Sequence, residues 1–168
     1  MNKAGYAALR RNRYSISNAE YFLTLNTHLR EVGLCVPPLL EKISAVKEAL
    51  EVQSLWQVRC SVVMLDHLHL LIRLIGDKSL QETMRLFKGR LSPALRAAGL
   101  KWQDGFYEHR MRDNEDRTPV FIYIFLNPYR AELIARTQSW PGYFCSDKDW
   151  NWFSKLTDNE LPMPEWLQ

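Results

Sequence analysis

The run Val62–Leu74 reads VVMLDHLHLLIRL. It is apolar at most positions and broken once, at Leu65-Asp66. The spacing predicts two strands, Leu55–Met64 and His67–Ile75, joined there by a tight turn into a hairpin. Side chains alternate along a strand, so His67 and His69 share one face while Leu68, Leu70 and Ile72 take the other. A strand of this pattern needs a core on one side and carries two imidazoles side by side on the other.

The flanking segments complete a sheet. Glu20–Arg30 alternates, with Tyr21, Leu23 and Leu25 opposite Thr24, Asn26 and His28, and reads as a first strand. Pro37-Pro38 opens a helix to about Gln53 with Leu39, Ile43, Val46 and Leu50 as its apolar stripe. Ser79 with Glu82 forms a capping box for a second helix, striped by Leu80, Met84, Phe87 and Leu91 and ended by Gly99. Ser92-Pro93 either kinks that helix or starts a new one. Lys101–Arg110 reads as a fourth strand. Thr118-Pro119 opens a third helix, VFIYIFLNPYRAELIA, which Pro128 is expected to distort or break near Asn127.

The order is β-α-β-β-α-β, then α. It predicts an α+β, ferredoxin-like split βαβ domain: a four-stranded antiparallel sheet with helices on one face, plus a C-terminal helix. One domain is expected over 1–168. Residues 1–19 form a basic N-terminal arm, and 137–168 a Trp- and Pro-rich tail wrapped over the body.

Composition narrows the class. Hydrophobic content of 46% and charged content of 24% are ordinary for a globular domain of 168 residues. No apolar run reaches membrane-spanning length, and the basic start lacks the apolar core of a signal peptide, so a cytoplasmic protein is expected. Cys35, Cys60 and Cys145 are far apart and odd in number, which points to reduced thiols rather than a zinc ribbon or a disulfide framework. Net charge is only +3. The cations nevertheless cluster: Arg10, Arg11 and Arg13; Arg85, Lys88, Arg90 and Arg96; Arg110, Arg112 and Arg117. A basic body with an acidic end fits an anionic ligand, and it also fits ordinary solvated faces.

Tyr123 and Asn127 are spaced i, i+4 and lie on one face of the third helix. Two strand histidines plus an amide or carboxylate oxygen suffice for one divalent cation with open positions. A tyrosine one turn from that oxygen would aim its hydroxyl at whatever the cation polarises. A phenol is a poor nucleophile at its ordinary pKa, and a nearby cation corrects this.

Met64–Leu71, MLDHLHLL, resembles the M-P-(N/D)-H-V-H-L-L segment of the REP-associated tyrosine transposases, within the HUH single-strand transposase superfamily. Tyr123–Leu133 resembles that family's Y-I-x-x-N-P-V-R-A-G-L segment. Trp102–His109 resembles W-Q-x-G-F-Y-D-H, and Arg112–Asp116 resembles R-x-x-E-D. Tyr21–Thr24 and Leu161–Leu167 look like the family's two ends. The resemblance implies Tyr123 as nucleophile and His67, His69 and Asn127 as ligands of Mg²⁺ or Mn²⁺. It implies a DNA strand transferase that nicks and rejoins single-stranded DNA at repetitive extragenic palindromic (REP) hairpins through a 5′-phosphotyrosine. It also implies a bacterial, nucleoid-associated monomer or homodimer. Three positions depart from the pattern: Leu65 replaces Pro, which should loosen the turn before the histidines; Tyr129 replaces Val; Glu132 replaces Gly and adds an acid.

Two further readings stand beside it. One is a non-catalytic hairpin-binding module. The other is a metallohydrolase using water, disfavoured because no acidic base stands in a motif beside the histidines. Lys88 and Arg112 are candidate DNA contacts, as are Arg10, Arg11 and Arg13, with surface or tail roles as the alternative. His109 and Glu108 are read as structural rather than metal-directed, and His28 as an ordinary strand residue. Trp102, Phe106 and Tyr107 are candidates for stacking on bases, with burial expected for at least two of them.

Overall fold

The computed structural model describes residues 15–157; Arg10, Arg11, Arg13 and the segment Leu161–Leu167 lie outside them. Within that range the strands are β1 (Glu20–Asn26), β2 (Trp56–Val63), β3 (His67–Leu74), β4 (Tyr107–Arg110) and β5 (Tyr143–Cys145). The helices are α1 (Pro37–Val52), α2 (Leu80–Ala97), α3 (Thr118–Arg130) and α4 (Asp147–Phe153). The sheet order is β4-β1-β3-β2-β5, antiparallel throughout. The first four strands have the expected ferredoxin-like arrangement.

The fifth strand corrects the sequence reading. Tyr143–Cys145 sits within the expected tail and pairs with β2. Gly142 makes the approach possible, because a Cβ there would collide with the Val63 carbonyl. Val63 N–H donates to the Gly142 carbonyl at 2.9 Å, and the Trp140 indole N–H to the Val63 carbonyl at 2.7 Å.

The two faces of the sheet carry separate cores. Leu23 and Leu25 of β1 and Leu68, Leu70 and Ile72 of β3 pack against α1 and α2, with Trp56 and Phe87 at the centre. On the other face Cys60, Val62 and Leu71 meet Phe121 and Ile124 of α3 and Phe153 of α4. The C-terminal helix thus lies opposite the other two long helices, on the histidine side.

Three element limits differ from expectation. β1 ends at Asn26, because Leu29 and Arg30 adopt left-handed φ values of 52° and 60° in a 3₁₀ turn. The fourth strand shortens to Tyr107–Arg110, leaving only a single Thr27–Trp102 bridge before it. α3 runs through Pro128 to Arg130. Pro128 removes one N–H only a turn from the end, so the helix closes normally. Leu133 N–H donates to the Pro128 carbonyl and Glu132 N–H to that of Tyr129, both at 3.0 Å, a Schellman pair with Glu132 at φ 55° in the position glycine prefers. α2 likewise passes through Pro93 unbroken, and the Ser79–Glu82 capping box forms as expected.

Candidate active site

Register assembles the site. Antiparallel pairing sets Thr24 opposite His69 and Asn26 opposite His67. The turn before the histidines is firmly held despite Leu65: Gly33 and Leu34 N–H donate to the Leu65 carbonyl at 2.9 Å, and Thr27 N–H and hydroxyl to the Asp66 carbonyl at 2.9 Å. The loosening expected from the missing proline is offset by these bonds.

α3 crosses this face over β2 and β3 and brings Tyr123 and Asn127 to the histidines. The Tyr123 hydroxyl lies 3.5 Å from His69 Nε2, and the two rings meet edge-on at 5.2 Å. The His67 and His69 rings are 4.7 Å apart. A cavity of about 420 Å³ is lined by His67, His69, Tyr123 and Asn127 together with Thr24, Arg30, Arg130 and Ala131. All four residues singled out in the sequence therefore share one cavity within one chain.

Hydrogen bonds orient both imidazoles. His67 Nδ1 is 2.6 Å from Asp66 Oδ1, an acceptor-only carboxylate, so Nδ1 carries the proton and Nε2 keeps its lone pair. Arg30 holds the other oxygen of Asp66 at 2.6 Å and Asn26 Oδ1 at 2.5 Å. His69 Nδ1 stands 2.9 Å from the Thr24 hydroxyl. With Nδ1 donating there, Nε2 is the free nitrogen on the Tyr123 side. Burial holds both rings below the usual histidine range. For His67 the Asp66 carboxylate opposes the shift; for His69 the neighbouring His67 and Arg30 add to it and push it down to about 3. Both are neutral at neutral pH, the state in which imidazole can ligate a cation. A carboxylate or hydroxyl behind each ring is the outer-shell pattern of metal-ligating histidines. Among the described residues no group of three or more His, Cys, Asp or Glu gathers to hold a metal ion. The donors available here are two imidazoles and the Asn127 amide.

Two cations escaped the sequence reading. Arg30 reaches the cavity from the left-handed turn after β1, which no local pattern announces. Arg130 stands with its guanidinium 5.6 Å from the centre of the Tyr123 ring. It follows Tyr123 by two helical turns on the same face, a spacing visible in the sequence. Asp66, Thr24 and Phe22, which stacks on His69 at 5.4 Å and 24°, are the other supporting residues.

The remaining candidates lie elsewhere. Lys88 sits on α2 and donates to the Gln103 and Gly105 carbonyls at 2.6 and 2.9 Å, pinning the loop before β4. It lines a separate cleft of about 720 Å³ with Arg85, Asp104 and Phe106. Arg112 is exposed in the loop after β4 and its backbone N–H donates to Glu115. His109 pairs with the other oxygen of Glu115 at 2.8 Å, and Gln81 donates to Glu108 at 3.2 Å, in keeping with structural roles.

The sheet order and the helix crossing its second face define an α+β, ferredoxin-like class that carries a histidine–tyrosine cavity. No family model matches the sequence. A REP-associated tyrosine transposase of Escherichia coli (strain K12) is 28% identical over 135 residues, spanning 77% of this chain and 78% of that protein. The structure of a REP-associated tyrosine transposase bound to a REP hairpin matches with a TM-score of 0.66 and 25% identity, over 80% of this chain and 81% of that one. A putative transposase from Deinococcus radiodurans R1 matches in fold alone, at TM-score 0.50 and 17% identity, over 70% and 95% of the two chains. The chain thus resembles the REP-associated tyrosine transposases in sequence and in fold, as its motifs suggest. No helix among the described residues is long and apolar enough to cross a membrane.

Proposed function

We propose that this protein is a DNA strand transferase that nicks and rejoins single-stranded DNA beside REP-type hairpins, with Tyr123 as nucleophile. The observation that carries the reading is the shared cavity: a tyrosine hydroxyl 3.5 Å from one of two oriented, neutral histidines, with an amide one turn along the same helix. Likeness to a relative solved with a REP hairpin supports the partner.

In this reading Tyr123 Oη attacks the scissile phosphorus, the bond to the 3′-oxygen breaks, and a 5′-phosphotyrosine forms as a 3′-hydroxyl is released. The phenolic proton is lost to solvent, and the leaving 3′-oxygen takes one from solvent. The phosphodiester energy is retained in the new ester, so a second 3′-hydroxyl can displace tyrosine without ATP. Arg130, beside the Tyr123 ring, and Arg30 together offset the phosphate's charge. Asp66 and Thr24 hold the imidazoles in the tautomer that leaves Nε2 free. His67, His69 and Asn127 would hold Mg²⁺ or Mn²⁺. Such an ion supplies Lewis-acid polarisation of the phosphate.

The test is a denaturing-gel assay with labelled hairpin oligonucleotides from palindromes flanking the gene, with Mn²⁺ or EDTA, and Tyr123→Phe beside the wild type. A metal-dependent protein–DNA adduct lost in the variant is the expected result. Cleavage without an adduct would favour hydrolysis by water. Binding with neither would leave a hairpin-binding module.

A further inference from the structure

Of the three aromatics Trp102, Phe106 and Tyr107, the fold buries one and half-buries another, one short of full burial for two. Trp102 is 9% exposed and Phe106 packs against the first core. Tyr107 is 58% exposed. A single exposed aromatic is normal on a protein surface. What distinguishes this one is its position. β1–β4 pairing sets Tyr107 opposite Thr24, and β1–β3 pairing sets Thr24 opposite His69. The three residues form one row on one face, two strand spacings wide, so Tyr107 stands about 10 Å from His69, backbone to backbone.

The ring is also braced toward the nucleophile. Phe22 lies edge-on to Tyr107 at 6.3 Å and 70°, stacks on His69 at 5.4 Å, and meets Tyr123 edge-on at 5.9 Å and 90°. The contacts of α3 on this face centre on β2 and β3, and the row reaches Tyr107 on the far side of β1.

We propose that Tyr107 is a stacking platform for one unpaired base beside the scissile phosphate, so that strand β4 helps set which phosphodiester faces Tyr123. The proposal deepens the strand-transferase reading and rests on it for the identity of the ligand. An aromatic face suits any base, because every base offers a π-surface, and each such stack is typically worth enough to matter in binding. Tyr107 is a positioning residue: it touches a neighbouring nucleotide and not the reacting atoms.

The experiment uses a short single-stranded oligothymidylate carrying 5-iodouracil, which needs no knowledge of the natural hairpin. Irradiation should cross-link it to the peptide containing Tyr107. In anisotropy titrations of the same probe, Tyr107→Leu should bind about 5- to 150-fold more weakly, and Tyr107→Phe, which keeps the ring, within about twofold of wild type. Unchanged affinity in Tyr107→Leu, cross-linking only elsewhere, or no binding of the probe would each overturn the proposal. The Tyr123 adduct assay separates this from the underlying chemistry. Cross-linking at Tyr107 with no adduct to Tyr123 would leave the platform standing and remove strand transfer. A normal adduct with affinity indifferent to Tyr107 would do the reverse.

Discussion

Glu20→Gln removes one negative charge from the most heavily bridged carboxylate in the described structure. Glu20 is 4% exposed. Its Oε1 accepts from Arg59 at 2.7 Å and Arg73 at 3.1 Å, and its Oε2 from Arg117 at 2.7 Å. Arg59 also grips Asp149 through two nitrogens. The cluster therefore joins β1, β2 and β3 to the start of α3 and to α4. Breaking a buried pair by removing one partner typically costs about 3–5 kcal/mol. Here the loss is tempered: Arg59 keeps Asp149, Arg117 keeps the Asp113 and Glu115 carbonyls, and Arg73 is half-exposed to water. We expect about 3 kcal/mol, which lowers the urea midpoint by about 1.5 M for a slope of about 2 kcal/mol/M. The sign of the pH effect follows from the same contacts. Burial alone would raise the Glu20 pKa, but the hydrogen bond from Arg117 and the charge of Arg59 outweigh it and hold it below its ordinary 4.5. The ionised form therefore stabilises the fold fully above pH 4.5, and that contribution is lost as pH falls through the lower folded value. The difference between wild type and Glu20→Gln should be largest at neutral pH and shrink on acidification. A midpoint within experimental error of wild type, or a difference that does not change with pH, would refute this reasoning.

Other outcomes follow from the site and its frame. His69→Ala should abolish the Tyr123 adduct while changing hairpin affinity little, and a binding titration showing equal loss of both would contradict the ligand role. Removing Arg30 and Arg130 together should flatten the dependence of log affinity on log salt by about 1.4, from about 0.7 per phosphate contact on single strands. Asp66→Asn should weaken Mn²⁺ binding about 10- to 100-fold by calorimetry, because the orienting acceptor behind His67 is lost. Glu132→Gly should stabilise the protein by about 1 kcal/mol in thermal or urea unfolding. It relieves a left-handed residue at a helix C-terminus and removes an acid from the negative end of the helix dipole.

Much of this was legible because it is periodic. Alternation in His67–Ile72 fixes which side chains share a face, and the i, i+4 spacing of Tyr123 and Asn127 fixes theirs. Helix and strand then need only be laid together, which the β-α-β-β-α-β order does. What the chain hides is what depends on distant partners. Tyr143-Phe144-Cys145 is too short to declare itself a strand, and it becomes one because β2 offers unpaired backbone and Gly142 allows contact. Arg30 enters the cavity through two consecutive left-handed residues that nothing local predicts. Lys88 bonds to the carbonyls of Gln103 and Gly105, in a loop that no local pattern places beside it. Pro128 reads as a breaker until its nearness to the helix end is known.

β5 has a bearing on how short the protein could be made. His67, His69, Tyr123 and Asn127 are all in place by Asn127, and the cavity they share is lined no further along the chain than Ala131. Without Tyr143–Cys145, however, β2 would become a bare outer strand ending in Cys60, Ser61, Val62 and Val63, all fully or almost fully buried. An unpaired apolar edge of that kind recruits other chains. At the opposite border the sheet ends in Tyr-Glu-His-Arg, a short, charged strand ill suited to further pairing. β5 thus covers an edge that would otherwise be open to other chains, and a truncation just after α3 should yield insoluble protein rather than a smaller soluble domain.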